Sequence, residues 1–238
     1  MKDVEKYSQL AKYYDKIYHM KNYEAESEVL RQLIVTYKES KGNDLLDIAC
    51  GTGSHLQYFK DYNRVGIDLN SEMVKLAKEK IPDAEILEMD MTVLDLNKEF
   101  DVVMCLFSSI GYILEKEKLK QTIKAFTKHI KKGGVLIIQP WLPKELYRTG
   151  SSHMITYEDE NLKIARVNLS EMKGDNSYFE MHYLIGERDK KVQHFIETHE
   201  LAFYSNDFII SLLKENGLTA EFYFDESLGE RGFIIGVK

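Results

Sequence analysis

Cysteine and proline are both scarce in this 238-residue chain, with two of the first and three of the second. Cys50 and Cys105 lie inside apolar runs and have neither metal-ligand spacing nor enough partners for a disulfide framework. Both therefore read as small buried hydrophobes in a reducing compartment. With so little proline and 44% hydrophobic residues, long disordered tails are excluded and a sizeable core is expected. Long apolar runs are missing as well. Nothing approaches the ~18 residues of a membrane span, and the opening MKDVEKYSQLAKYYD has no continuous apolar stretch of the kind that directs export. Dense positive charge is also absent: the net charge is −7, and lysine and arginine never exceed the helix-surface density of residues 116–124. A polyanion such as DNA is a poor partner for such a chain. The expectation is a soluble, cytoplasmic protein with a small-molecule ligand and neither membrane nor nucleic-acid partners.

What the chain does have is a rhythm. An aromatic-rich lead with Tyr7, Tyr13, Tyr14 and Tyr18 precedes a helical pattern over residues 22–40, where Val29, Leu30, Leu33, Ile34 and Tyr37 share a face. Short apolar runs then alternate with amphipathic ones. The runs are LLDIAC, RVGIDL, AEILEMD, FDVVMCLF and GVLIIQP, and helical patterns at 55–62, 71–80 and 116–130 fall between them. Such alternation predicts a parallel sheet wrapped by helices, an α/β fold. After Pro140 the period shortens to two over 154–157, 163–171, 178–186 and 193–204, with Lys173-Gly174-Asp175-Asn176 as a turn, which predicts an inserted antiparallel β-sheet. A helix capped by Ser205-Asn206-Asp207 and stopped by Gly217, then two strands, LTAEFYF and GFIIGVK, complete the chain. The expected organisation is a core of residues 1–140 plus 205–238, interrupted by an insert of residues 141–204.

The first run ends LLDIACGTGSH. In an open parallel sheet the ligand crevice lies at the carboxyl ends of the strands, so this run delivers Asp47 and then Gly51 and Gly53 to that edge. Asp68 ends the second run 21 positions later, where a carboxylate can accept from two ribose hydroxyls. A dinucleotide fingerprint would need a third glycine at position 56, which is Leu56, so that reading weakens. Asp47 suits an amino group on the ligand, and Asp90 suits an adenine amino group with Met91 packed on the ring. Adenine, ribose and an amino acid moiety together describe S-adenosylmethionine.

With these runs in view, residues 44–140 resemble the cofactor-binding core of the Rossmann-like S-adenosylmethionine-dependent methyltransferases: LDIACGTG, GIDL, EMDM, FDVVMCLFSS and HIKKGGVLIIQP occur in the family's order. Ala49 stands where many relatives carry glycine. The resemblance implies a seven-stranded, mostly parallel sheet whose last strand is antiparallel, S-adenosyl-L-methionine as donor and S-adenosyl-L-homocysteine as product, with no metal. YDKIYHMKNYEAES, CLFSSIGYI, QPWLPKEL and LGERGFIIGVK are further similar to the N,N-dimethyltransferases of dTDP-linked 3-amino-3,6-dideoxyhexoses, although QPW stands where relatives show EPWW. That likeness implies N-methylation of an amine on a nucleotide-linked sugar. It places Tyr14 and Tyr112 beside the transferred methyl, and Tyr23, Ala49, His55, Leu69 and Leu106 with the acids and glycines around the cofactor. On the substrate side it places Ser108, Trp141 and Arg231, the arginine against the diphosphate.

Methyl transfer to nitrogen needs a free lone pair, so a tyrosine, histidine or carboxylate near the methyl would have to take the amine proton. Of the seven histidines, His182, His194 and His199 fall in the insert strands, with a solvated or half-buried sheet position as their default. No His/Asp/Glu cluster has ligand spacing, so no metal is expected. Two other readings stay open: a methyltransferase for another small amine or hydroxyl, of the glycine N-methylating type, and a non-catalytic S-adenosylmethionine-binding protein. A nucleic-acid adenine methyltransferase would carry an Asp/Asn-Pro-Pro-Tyr-like tetrapeptide where this chain reads CLFSS. A homodimer through a sheet edge or the insert is left open.

Overall fold

A computed structural model describes residues 10–225 and 231–238. Tyr7 of the aromatic lead and residues 226–230, which include most of LGERG, lie outside the described residues. The alternating runs form one seven-stranded sheet, ordered β10-β11-β5-β4-β1-β2-β3. Its strands are β1 (Asp44–Ile48), β2 (Asn63–Asp68), β3 (Glu85–Glu88), β4 (Phe100–Cys105), β5 (Ile130–Ile138), β10 (Thr219–Tyr223) and β11 (Phe233–Val237). The last strand, β11, runs antiparallel to both of its neighbours, and the pairings of β1 to β5 are parallel. Strand order reverses at β1, which lies between β4 and β2, and that reversal opens the crevice.

Helices cover both faces. On one face, α2 (Tyr23–Tyr37) and α3 (Ser71–Lys80) bury Leu30, Leu33, Ile34, Val74 and Ala77 against Leu45, Val102 and Ile137. On the other, α4 (Lys116–Lys128) and α5 (Asn206–Glu215) bury Leu119, Ile123, Phe126, Ile209 and Leu213 against Leu46, Val103 and Leu136. Side-chain caps start three of the four: Asn22 accepts from Ala25, Asn70 from Glu72 and Met73, and Ser205 from Phe208.

Two expectations are corrected here. The helix read over 55–62 is only a 3₁₀ turn, Leu56–Tyr58. β2 begins at Asn63, and the Tyr58 carbonyl that a second helical turn would use accepts instead from the Arg31 guanidinium at 2.5 Å. The last insert strand stops at Leu201 rather than running to residue 204, because the Tyr204 hydroxyl leaves the sheet to donate to the Ile113 carbonyl at 2.7 Å.

The insert is a separate four-stranded antiparallel sheet: β6 (Ser152–Glu158), β7 (Leu162–Lys173), β8 (Asn176–Glu187) and β9 (Gln193–Leu201). Lys173 pairs with Asn176 around Gly174-Asp175, a two-residue hairpin that Gly174 permits with φ +60°. Its inner face packs Ile164, Phe179, Met181 and Tyr183 on Leu10, Tyr13 and Ile17. The last two residues flank or belong to the short helix α1 (Tyr14–Ile17), so the N-terminal segment is held by the second sheet. No described helix is long and apolar enough to cross a membrane.

Candidate active site

A cleft of about 1320 Å³ lies between the carboxyl ends of β1, β2 and β4 and the inner face of the second sheet. The glycine turn forms its floor. Ala49, Gly51 and Gly53 all have positive φ, at 58°, 56° and 75°. A Cβ on Gly51 would meet no atom within 4 Å, which leaves the backbone open toward the cleft, whereas one on Gly53 would strike Ile81 Cδ1 at 2.5 Å. The first glycine thus keeps a ligand's approach clear and the second lets α3 pack.

Asp68 is half-buried at the end of β2. One of its carboxylate oxygens accepts from Gly51 N–H at 2.8 Å and the other from Asn70 N–H at 2.9 Å. Two backbone donors therefore fix the carboxylate and leave lone pairs on both oxygens for a pair of hydroxyls. Burial raises its pKa, while the backbone donors oppose the rise. Asp90 and Met91 follow β3, and Asp90 turns one oxygen to Thr92 N–H at 2.8 Å. Ala49, Gly51, Asp68, Leu69, Asp90 and Met91 line one end of the cleft. This set, with an acid for ribose, an acid and a thioether for adenine, and an open glycine floor, fits an adenosyl group.

Other expected cofactor residues stand behind that wall. Tyr23, Asp47, Gly53, His55 and Leu106 do not line the cleft. Asp47 is 2% exposed, and burial, with the Asp68 charge adding, pushes its pKa up to about 8. Buried His55 bonds the Glu26 carboxylate at 2.5 Å and meets the Tyr23 ring edge-on at 4.8 Å. Glu26 also pairs with Lys21 and accepts from Gln139 Nε2 at 2.9 Å, while Gln139 Oε1 accepts from Phe107 N–H at 2.7 Å. Burial would raise the Glu26 pKa, but the bonds from His55 and Lys21 prevail and hold it at about 2. Glu26 was missed in the sequence. It ties α2, the glycine turn and the end of β5 together, yet only its place in KNYEAES set it apart. Cys105 is buried as expected, whereas Cys50 is only half-buried.

The turn after β4 is strained. Phe107 and Ser108, neither of them glycine, have φ of 52° and 65°, and the Ser108 hydroxyl donates to the Pro140 carbonyl at 2.8 Å. This geometry presents the Phe107 ring to the cleft, where Tyr18 meets it edge-on at 5.3 Å and the Arg231 guanidinium lies 5.4 Å from its centre. Arg231 also lies 5.0 Å from the Trp141 ring. Tyr14 lines the cleft beside Tyr18, with ring centres 4.7 Å apart, and burial raises its pKa well above the usual phenol value. Tyr112, Ser108, Trp141 and Arg231 line the same space, so both catalytic candidates and all three substrate-side candidates border one cleft.

The Tyr112 hydroxyl lies 2.9 Å from His199 Nδ1. His199 is 1% exposed, which corrects the expectation of a solvated or half-buried position; it stacks on Phe179 at 5.4 Å, with Glu197 3.7 Å from its Nε2. His182 and His194 do keep exposed places on the outer face, stacked on each other. Among the described residues no group of three or more His, Cys, Asp or Glu side chains could hold a metal ion.

Comparison with known proteins agrees with this geometry. A family profile described as a methyltransferase domain matches residues 45–134. The dTDP-3-amino-3,4,6-trideoxy-alpha-D-glucopyranose N,N-dimethyltransferase of Streptomyces venezuelae is 30% identical over 91% of this chain and 92% of its own length. The crystallographic sugar N-methyltransferase KedS8 of a Streptoalloteichus species superposes with a TM-score of 0.89 at 28% identity, covering 100% of this chain and 95% of that one. CalS10 of Micromonospora echinaspora, an amino pentose methyltransferase solved with S-adenosylmethionine bound, gives 0.80 at 25% identity over 91% of both chains. The chain belongs to the Rossmann-like S-adenosylmethionine-dependent methyltransferases, in the family of the dTDP-amino-sugar N,N-dimethyltransferases.

Proposed function

We propose that this methyltransferase methylates the amine of a dTDP-linked amino sugar. The observation that carries the reading is one cleft with two chemistries. Carboxylates suited to an adenosyl group line one end, and tyrosines, a buried histidine and an arginine stacked on tryptophan line the other. At about 1320 Å³ it exceeds the ~300–1,000 Å³ of ordinary small-ligand sites, which suits a cofactor together with a sugar nucleotide better than a free amine such as glycine. The Streptomyces venezuelae relative, and a second from Streptomyces fradiae that is 30% identical over 96% of this chain and 91% of its own length, are N,N-dimethyltransferases of dTDP-3-amino sugars.

In this reading Asp68 holds the ribose, Asp90 and Met91 the adenine, and Ala49, Gly51 and Leu69 the floor and rim. Asp47, Gly53, Tyr23, His55 and Leu106 brace that floor from behind. S-adenosylmethionine supplies a sulfonium methyl that is already electrophilic and leaves as S-adenosylhomocysteine, so no metal is required. Ser108, Trp141 and Arg231 hold the sugar nucleotide, the arginine at the diphosphate. Aligning the amine is the main task. The other is to remove its proton: the Tyr112 hydroxyl accepts from the amine as it gives its own proton to His199 Nδ1, and Glu197 faces the imidazolium that forms. Tyr14 screens the methyl site from water.

Labelled methyl transfer across dTDP-amino sugars, free amines and phenols tests this reading. Incorporation confined to the sugar nucleotides is expected, and preferential labelling of free amines or phenols would overturn it. His199→Ala is expected to lower kcat about 10- to 100-fold at neutral pH with little change in KM, and less at high pH, where the ammonium loses its proton to solvent unaided. An unchanged pH profile would remove the histidine from the mechanism.

A further inference from the structure

The inner face of β7 carries three polar side chains in succession, Arg166, Asn168 and Ser170, and all three line the cleft. Alternation explains why they share a face, with about 7 Å between one and the next. Their burial is less expected. Arg166 is 7% exposed, Asn168 8% and Ser170 6%, in a sheet whose inner face also carries Ile164, Phe179, Met181 and Tyr183. Buried polar groups are ordinarily paired. Here Arg166 Nε and Asn168 Oδ1 have no hydrogen-bond partner, and neither has the buried Trp141 Nε1 on the same cleft. Arg166 spends one guanidinium nitrogen on the Tyr18 hydroxyl at 3.3 Å and makes no ion pair among the described residues.

The contact with Tyr18 also places this wall. Tyr18 packs at 4.7 Å on Tyr14, which the reading above puts at the methyl-transfer end. Whatever satisfies β7 is therefore the part of the substrate next to the amine rather than its nucleotide. The demand is mixed, since Arg166 Nε–H and Trp141 Nε1–H need acceptors while Asn168 Oδ1 needs a donor. A phosphate or carboxylate would satisfy the donors and leave Asn168 unmet. A hydroxyl can give and accept at once. Turning the Asn168 amide over would put Nδ2 there as a donor in place of Oδ1, and a hydroxyl oxygen accepts from that as well.

We infer that Arg166 and Asn168, with Trp141, form a hydroxyl-reading wall, and that the sugar this enzyme methylates keeps a free ring hydroxyl beside its amine. The inference rests on the amino-sugar reading above and narrows it. The relatives' sugars differ at one of the two carbons beside the amine: the 3-amino-3,6-dideoxy sugar keeps a C4 hydroxyl that the 3-amino-3,4,6-trideoxy sugar lacks, and both keep the one at C2. A site built to bond a hydroxyl rejects the analogue that lacks it, because its own buried groups are then left unpaired.

The test compares dTDP-3-amino-3,6-dideoxyglucose with its 4-deoxy and 2-deoxy analogues, by kcat/KM and, without cofactor, by calorimetric binding. One of the two deoxy analogues is expected to lose about 10- to 100-fold in both measurements. Asn168→Leu should erase that discrimination by weakening the hydroxylated substrate alone, and Asn168→Ser, which restores a hydroxyl, should recover part of it. Equal use of all three sugars by the wild type, or discrimination that survives in Asn168→Leu, overturns the hydroxyl wall and leaves amino-sugar methylation standing. Failure to methylate any of the three would remove the functional reading and this inference with it.

Discussion

Asp47 and Asp68 end adjacent parallel strands, and burial sets them apart. Asp68 keeps its oxygens turned by two backbone donors toward the cleft, while Asp47 is sealed beneath the turn with its pKa at about 8. A raised carboxyl stabilises the folded state below its unfolded value of about 3.8, and that contribution is lost as pH rises toward about 8. Asp47→Asn removes the titration. Denaturant unfolding near pH 5 and near pH 8 should therefore show a smaller loss of stability in the variant than in wild type, by a few kcal/mol on the order of the pKa displacement. Parallel losses in both proteins would mean that Asp47 is ionised in the fold. Gln139 presents the complementary case. Its amide donates to buried Glu26 and accepts from Phe107, a pair of roles that an ionised glutamate cannot fill, which gives a physical reason for the glutamine of QPW. Gln139→Glu sets two carboxyls together in a site only 3–5% exposed and should cost about 3 kcal/mol in thermal or denaturant unfolding. A neutral result would show that the 107–108 turn does not depend on this amide.

Among the elements, α1 borders the cleft through Tyr14, and it is tied down by charge. Lys80 at the end of α3 pairs with Asp15 at 2.7 Å and donates to Thr52 and Ser54 at 3.0 Å each, so α1 is latched to the glycine turn. Lys80→Met should raise the KM for the cofactor several-fold and speed amide exchange in α1, with little change in global stability because Asp15 is half exposed. Unaltered exchange in α1 would show that apolar packing alone holds it. The strand and helix alternation was legible in the sequence because each element carries its own period, and the switch to period two after Pro140 announced the second sheet. The 55–62 segment misled because a helical spacing, Leu56 and Phe59, was followed too soon by a strand and had its carbonyl taken by Arg31. His199 and Glu26 were illegible for another reason: their partners are Tyr112, 87 positions away, and Gln139, 113 positions away. No local pattern records such pairs. The acids at strand ends could be read because topology alone brings them to one edge.

At the scale of the molecule, neither sheet makes a complete site. The seven-stranded sheet brings Asp68 and Asp90 to the cleft, the four-stranded sheet brings Arg166, Asn168 and His199, and the N-terminal segment joins them through Tyr14 and Tyr18. The packing of Leu10, Tyr13 and Ile17 holds that segment on the second sheet. The most direct test is product analysis by mass spectrometry: dTDP-3-amino-3,6-dideoxyglucose incubated with S-adenosylmethionine and wild-type enzyme, with Asp68→Ala and Tyr112→Phe alongside. The account predicts an N-methylated sugar nucleotide from wild type, none above background from Asp68→Ala, and formation at least about 10-fold slower from Tyr112→Phe. An unmodified sugar nucleotide with wild-type enzyme, while S-adenosylmethionine is consumed on a different acceptor, would contradict it.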